Sequence, residues 1–241
     1  EAHHGRAADV LALGGALALQ NSIKVWTSNH RTHHQYTDDN DKDPYSAGRG
    51  LWFSHVGWML RDYPASQTEF ENVRDLEKDW VVAWQHDNYW LLAFTMNVIV
   101  TLGIGALAGD LLAGLLLVGF SRLVLSHHTT FFINSLAHFW GKQTYSDKTS
   151  SRDNPILALL TYGEGYHNYH HTFQWDYRNG VRWYHFDPSK WLIATLAHCK
   201  LASNLKVAAP ELIEKSLAAM QLKNATNKLA AFNGINKEKW V

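Results

Sequence analysis

Apolar positions gather into a few long stretches, with charged and aromatic segments between them. Ala7 to Trp26 is mostly Ala, Leu, Gly and Val, with Asp9 near one end and Lys24 near the other. This pattern predicts one helix over about residues 7–27, enough for a bilayer core that takes about 20 residues. Tyr89 to Gly109 carries no charge, and Leu111 to Ser121 carries none either. Tyr89 to Leu125 is too long for one crossing and is interrupted by Gly103, Gly105, Gly109 and Asp110. It therefore predicts a hairpin of helices at about 89–108 and 111–127, with a tight turn at Gly109-Asp110. A buried helical pair in a soluble bundle is the alternative, but runs this apolar are unusual there.

Thr32 to His86 is dense in charge and marked by turns at Asp43-Pro44 and Tyr63-Pro64, which places it outside the hydrocarbon. Trp52, Phe53, Trp58, Trp80 and Trp84 make it too aromatic for a free linker and predict a folded cap or an interfacial belt. The chain is polar and aromatic again from His127. Residues 1–200 are expected to form one domain. Residues 201–241, with Leu212, Leu217, Met220 and Leu222 at loose helical spacing, predict a peripheral cytosolic helix and a frayed tail.

Composition changes this picture little. The chain has 241 residues, and 22 Lys and Arg balance 22 Asp and Glu, so charge gives no reason to expect nucleic acid as a partner. A mean hydropathy of -0.27 averages over the strong local contrast. One cysteine, Cys199, excludes an intrachain disulfide framework. The opening EAHHGRAAD has no initiator Met and no basic segment before the first apolar run, which reads as an internal start.

The 15 histidines carry the chemistry. His30, His33 and His34 stand in HRTHH, His167, His170 and His171 in HNYHH, and Asn134 and His138 in NSLAH. On a helix, HxxHH offers three ring nitrogens from one stripe about a turn long, and two such stripes can enclose a metal pair. Imidazole suits iron, zinc and copper, and a single cysteine excludes a thiolate zinc knuckle. Neutral imidazoles leave two divalent irons strongly Lewis-acidic, able to bind and reduce dioxygen. Orienting carboxylates are expected among Asp38, Asp39, Asp41, Asp43, Glu164 and Asp176. Glu164 is favoured because Gly163 and Gly165 flank it, whereas Asp39 and Asp41 read equally as solvated loop charge. Asn134, one turn before His138, is either a metal-site amide or a helix-packing hydrogen bond.

The runs HRTHHQYTDDNDKDPYSAGRGLWFSHVGWML, NSLAHFWG and GEGYHNYHHTFQWDYRNG, in that order, resemble the membrane-bound delta-9 fatty-acyl desaturases, the stearoyl-CoA desaturase family. The resemblance extends from about Leu17 to Trp191. It implies an all-α integral membrane protein: four membrane helices under a cytosolic helical cap holding a histidine-rich di-iron site, with an acyl chain in a bent apolar tunnel. Dioxygen and two electrons would remove two hydrogens and leave a cis double bond. The matching metal ligands are His30, His33, His34, His138, His167, His170 and His171, with Asn134 in a water-linked position. These are seven of the family's nine histidines. The first box, HxxxxH, is expected upstream of Glu1, and His3 and His4 do not match it. The chain is thus expected to be an N-terminally truncated fragment with weak or incomplete metal binding.

By the same resemblance, Gln20 and Thr130 match residues that bond across the tunnel, Trp26 a wall residue, and Phe131 a position where animal members have Trp. Asn21 and Arg61 match head-group contacts. Ser28 and Asn29 stand where those enzymes carry Arg and Asp for coenzyme A, and Asp62 near an expected Lys, so coenzyme A, acyl carrier protein and phospholipid all stay open as acyl carriers. Without the resemblance, Gln20, Trp26, Thr130 and Phe131 read as ordinary interhelical packing.

With no flavin, nicotinamide or haem motif, a separate ferredoxin, rubredoxin or small haem protein with its reductase is expected to supply electrons. Arg31, Arg49 and Arg61, against a hairpin turn without Lys or Arg, place the histidines on the cytoplasmic side. His167, where front-end desaturases have Gln, argues against that group. Two other readings remain: a histidine-box lipid or alkane hydroxylase, and a membrane metal transporter, whose ligands would be expected near the midplane of the spans.

Overall fold

A computed structural model describes residues 6–238; His3 and His4 lie outside the described residues. The chain forms two compact units that meet in sequence at Ser135 and Leu136. Among the described residues every regular element is helical, and only isolated bridges pair Lys142 with Asp153 and Asp153 with Tyr166.

The first unit contains α1 (Arg6–Gly15), α2 (Ile23–Tyr36), α3 (Leu51–His55), α4 (Trp80–Asp87), α5 (Tyr89–Phe94), α6 (Val100–Ala108), α7 (Leu111–Ala113) and α8 (Arg122–Asn134). The continuous helix expected over residues 7–27 is not found. After α1 the chain tightens into a short 3-10 turn, Ala16–Ala18, and bends through Leu19 (φ 51°) and Asn21 (φ 73°) before α2 begins. Two sets of polar contacts hold this break. Ser22 Oγ accepts from Val25 N, and Gln85 Oε1 accepts from Ile23 N at 3.1 Å, which satisfies donors that a helix start leaves unpaired. On the other side, the carbonyls of Ala16, Leu17 and Ala18 face Asn97 Nδ2, Arg122 Nη1 and His127 Nε2 at 3.1, 2.8 and 2.8 Å.

The hairpin turns at Gly109-Asp110, as the sequence predicts. Gly109 adopts φ 80° and donates its N–H to the Gly105 and Ala106 carbonyls, and Asp110 caps the returning helix by accepting from Ala113 N. A Cβ on Gly114 would lie 2.5 Å from Gly105 Cα, so the two arms touch through glycine. Both arms contain π-helical turns, Thr95–Ile99 and Gly114–Ser121. Tyr89–Ala108 and Leu111–Phe139 are each long and apolar enough to cross a bilayer, yet only 22% and 11% buried within the chain. The second stretch outlasts the expected end near residue 127. Its polar side chains turn back onto the helix: Thr129 and Thr130 both donate to the Ser126 carbonyl.

Between α2 and α4 the expected aromatic segment folds as α3 and a series of 3-10 turns, leaving Trp52 and Trp80 about 70% exposed (69% and 70%).

The second unit contains α9 (Leu136–Phe139), α10 (Pro155–Leu160), α11 (His167–Thr172), α12 (Pro188–His198) and α13 (Pro210–Glu238). Its apolar core joins Tyr145, Tyr169 and Phe173 to Ala208 and to Ile213 of α13.

Candidate metal centre

The middle histidine of each HxxHH motif, His33 or His170, does not share the stripe of the other two. At 3.6 residues per turn, positions four apart differ by about 40° and neighbours by about 100°. In α2, His30 Nε2 and His34 Nε2 lie 3.1 Å apart, while His33 turns to Asp43, its Nδ1 2.9 Å from Asp43 Oδ1. In α11, His167 Nε2 and His171 Nε2 lie 3.0 Å apart, and His170 stands outside that pair. The single stripe of three expected from the motif thus divides into a pair and a third ring.

His138 joins the α11 pair, its Nε2 3.1 Å from His167 Nε2. All three rings are buried, 2 to 8% exposed. A ring nitrogen holds one hydrogen or one lone pair, so His167 Nε2 can make a hydrogen bond to only one of its two near neighbours. A cation resolves that conflict, since three lone pairs can point at one ion. Imidazole–metal bonds of about 2.0–2.1 Å put adjacent ligands about 3 Å apart, the spacing seen. The residues fit a metal ion.

The supports of these rings match the expectation at Asp43 and depart from it at Glu164. Asp43, 1% exposed, holds His33 and also accepts from the N–H groups of Asp38 and Tyr45. With its proton on Nδ1, His33 presents Nε2 as the ligand atom. His138 Nδ1 is 2.7 Å from Ser150 Oγ, a partner the sequence did not single out. The favoured Glu164 instead accepts from Asn179 Nδ2 at 2.7 Å, and burial pushes its carboxyl up to about 7, with nearby Asp187 adding to the rise and the Asn179 bond opposing it. Its glycine neighbours do mark a close approach: Gly163 has φ 105°, and a Cβ on Gly165 would overlap Ala158. Asp176 serves Tyr169 and Arg178, and Asp39 Oδ1 accepts from Asp41 N in the loop.

Asn168 and Asp153 are functional supports that sequence reasoning missed. Asn168, fully buried and placed in sequence between His167 and His170, accepts from Tyr145 N and Ser146 N and donates to the carbonyls of Ser146 and Ser151. Asp153 Oδ1 accepts from the backbone N–H groups of Asn168 and Tyr169, and burial raises its pKa to about 6. Asn168 offered only its polarity within the third motif, and Asp153, well upstream of it, offered no local signal.

The remaining candidates lie in the first unit. Gln20 Nε2 donates to Thr130 Oγ1 at 2.7 Å. Trp26 stacks on His30 with ring centroids 4.6 Å apart, and Phe131 meets His55 edge-on. Asn21 sits in the bend, its backbone N–H donating to Tyr89 Oη, and Arg61 is exposed. Asn134 is the last residue of α8, so the helix on which it was expected to pair with His138 ends there; Ser135 leaves it with ψ -78°. An apolar cavity of ≈ 280 Å³ opens beside Leu19 and is lined by Trp90, Phe94, Leu115, Phe120 and Leu123.

Residues 1–198 match the family model for fatty acid desaturases. The chain belongs to the fatty acid desaturase family. It is 42% identical over 223 residues to acyl-CoA desaturase 1 of Saccharomyces cerevisiae, covering 92% of this chain and 44% of the yeast protein. To stearoyl-CoA desaturase 5 of Bos taurus it is 36% identical over 210 residues, 85% of this chain and 62% of the relative. To the sn-2 palmitoyl-lipid 9-desaturase of Nostoc it is 35% identical over 208 residues, 83% and 70%. The chain therefore spans less than half the length of its yeast relative.

Proposed function

We propose that the chain is the histidine-bearing part of a membrane-bound, oxygen-dependent fatty-acyl desaturase that introduces a cis double bond, at delta-9, into a saturated acyl chain. The observation that carries this is the buried convergence of His138, His167 and His171 in a chain of this family. The seven histidines, with Asn134, would hold two iron ions: the α11 pair and His138 would serve one ion and the α2 pair the other, with His33 and His170 as further ligands. Iron bound there would supply the chemistry that reduces dioxygen.

The protein's own groups do the rest. Asp43 and Ser150 fix ring orientation, and burial excludes water from three of the ligands. Gln20, Thr130, Trp26 and Phe131 line the path of the acyl chain, and the cavity beside Leu19 offers it apolar walls. Asn21 and Arg61 contact its head group. The names of the yeast and bovine relatives favour acyl-CoA over a lipid-bound chain. Electrons come from a separate carrier with its reductase, such as a ferredoxin, a rubredoxin or a small haem protein.

The two apolar arms support membrane insertion, since core helices of a soluble protein would be mostly buried. A hairpin returns the chain to the side it left, and Arg31, Arg49 and Arg61 argue that this side is cytoplasmic. In the complete protein, His167→Ala should abolish double-bond formation while leaving the protein in the membrane, read by gas chromatography of lipids from cells without another desaturase. Unsaturated product from that variant, or hydroxylated lipid as the main product of the parent, would overturn the reading.

A further inference from the structure

The second unit carries an apolar helix that its own core does not use. From Trp191 to Ala197, α12 reads WLIATLA, and none of these residues is buried: Trp191 and Leu192 are 46% and 51% exposed, and Ala194 and Thr195 are exposed as well. The one polar side chain among them, Thr195, donates its hydroxyl hydrogen to the Trp191 carbonyl. A surface helix normally has a polar outer face, and the only polar side chain this stretch presents is Thr195. Seven residues span about 10 Å, too short to cross a bilayer but enough to lie within its interface.

The charges around α12 indicate what covers it. No Asp or Glu occurs between Asp187 and Glu211. Asp187 itself is fully buried, its Oδ2 accepting from Asn179 N and Gly180 N and its Oδ1 from Lys190 N. Lys190 turns inward to the carbonyls of Gly180 and Arg182. The exposed charges along this segment are therefore cationic: Arg182 before the helix, Lys200 and Lys206 after it. Trp183 and Tyr184, 87% and 64% exposed, precede it with amphipathic rings. An apolar stretch flanked by aromatics and cations, with no exposed acid, complements an anionic lipid surface.

We infer that α12 is an in-plane membrane anchor of the second unit, seated in the headgroup region of an anionic bilayer and separate from the apolar hairpin. The inference rests on the reading of the chain as membrane-bound.

Cys199 is the only cysteine, exposed at the end of α12, and provides the probe. The chain is labelled there with a thiol-reactive bimane and reconstituted into phosphatidylcholine–phosphatidylglycerol vesicles. The control label sits at Lys228→Cys in a Cys199→Ser background, on an exposed part of α13. Phosphatidylcholine with a shallow doxyl group should quench the Cys199 label at least about two-fold and leave the Lys228→Cys label unchanged. The double variant Trp191→Ser, Leu192→Ser should lose at least about half of that quenching.

A Cys199 label that doxyl lipid does not quench overturns the anchor. If iodide reaches it, α12 faces water; if iodide does not, another protein surface covers it. Unchanged quenching in the double variant also overturns the assignment to this face. Vesicle flotation separates this from the parent reading: a chain that floats with an unquenched label keeps the hairpin in the membrane and loses only α12, whereas a chain that does not float loses both.

Discussion

α2 and α11 carry the same HxxHH pattern on very different supports. α2 has 14 residues, is capped by Ser22, and buries only Ser28 and His33; its outer side is braced by exposed pairs such as Arg31 with Asp75. α11 has six residues and buries four of them, His167, Asn168, Tyr169 and His171. A helix of six residues has almost no stability of its own. In α2 the ring geometry comes mainly from the helix, whereas in α11 it comes from side chains that hold the backbone. The same motif can thus be robust in one place and dependent on its surroundings in another.

The largest expected effect tests that dependence. Asn168→Ala removes four hydrogen bonds to the backbone, two of them fully buried, and strands their partners, at a cost of roughly 3–5 kcal/mol. The second unit should unfold at markedly lower temperature and bind less iron, measured by calorimetry and metal analysis. Near-normal values would mean that α11 is ordered by something other than its scaffold.

Asp43→Asn should act on the α2 site with the fold intact, lowering metal affinity about 10–100-fold in a competition titration. Unchanged affinity would show that Asp43 only shapes its loop.

Glu164 probes the loop feeding α11 through pH. Its folded carboxyl titrates near 7, above its ordinary value of 4.5, so the folded state holds a proton that the unfolded chain has lost. Stability therefore falls as pH rises from below 4.5 through about 7. Glu164→Gln keeps an acceptor for Asn179 and should remove this slope, gaining on the order of 1–2 kcal/mol at about pH 8 in urea unfolding. An unaltered slope would exclude Glu164 as its source.

The smallest effect returns to α2: Arg31→Ala, which breaks an exposed ion pair and a bond to the Asn72 carbonyl, should cost about 1 kcal/mol or less. A loss as large as that of Asn168→Ala would erase the contrast between the two helices.

The parts of this molecule that were legible in its sequence are those set by near neighbours. An uncharged run interrupted by Gly-Asp gives the turn at Gly109-Asp110, and helical spacing gives the pairs His30–His34 and His167–His171. The bend at Leu19 to Ser22 was not legible, because the groups that hold its carbonyls stand some 80 to 110 positions later in the chain. Favouring Glu164 among the candidate carboxylates, which included Asp43, failed for a similar reason. Both acids precede turns near a histidine motif, and only the folded chain shows that Asn179 occupies one and His33 the other. Asn168 looked like a spacer within HNYHH because nothing in the pattern reveals four backbone partners.

The three carbonyls at Ala16, Leu17 and Ala18 also impose an order in time. Their donors, Asn97, Arg122 and His127, emerge from the ribosome long after the segment they hold. The bend that sets the start of α2 cannot be completed until both arms of the hairpin exist, so α2 waits, during synthesis, for the residues that fix where it begins.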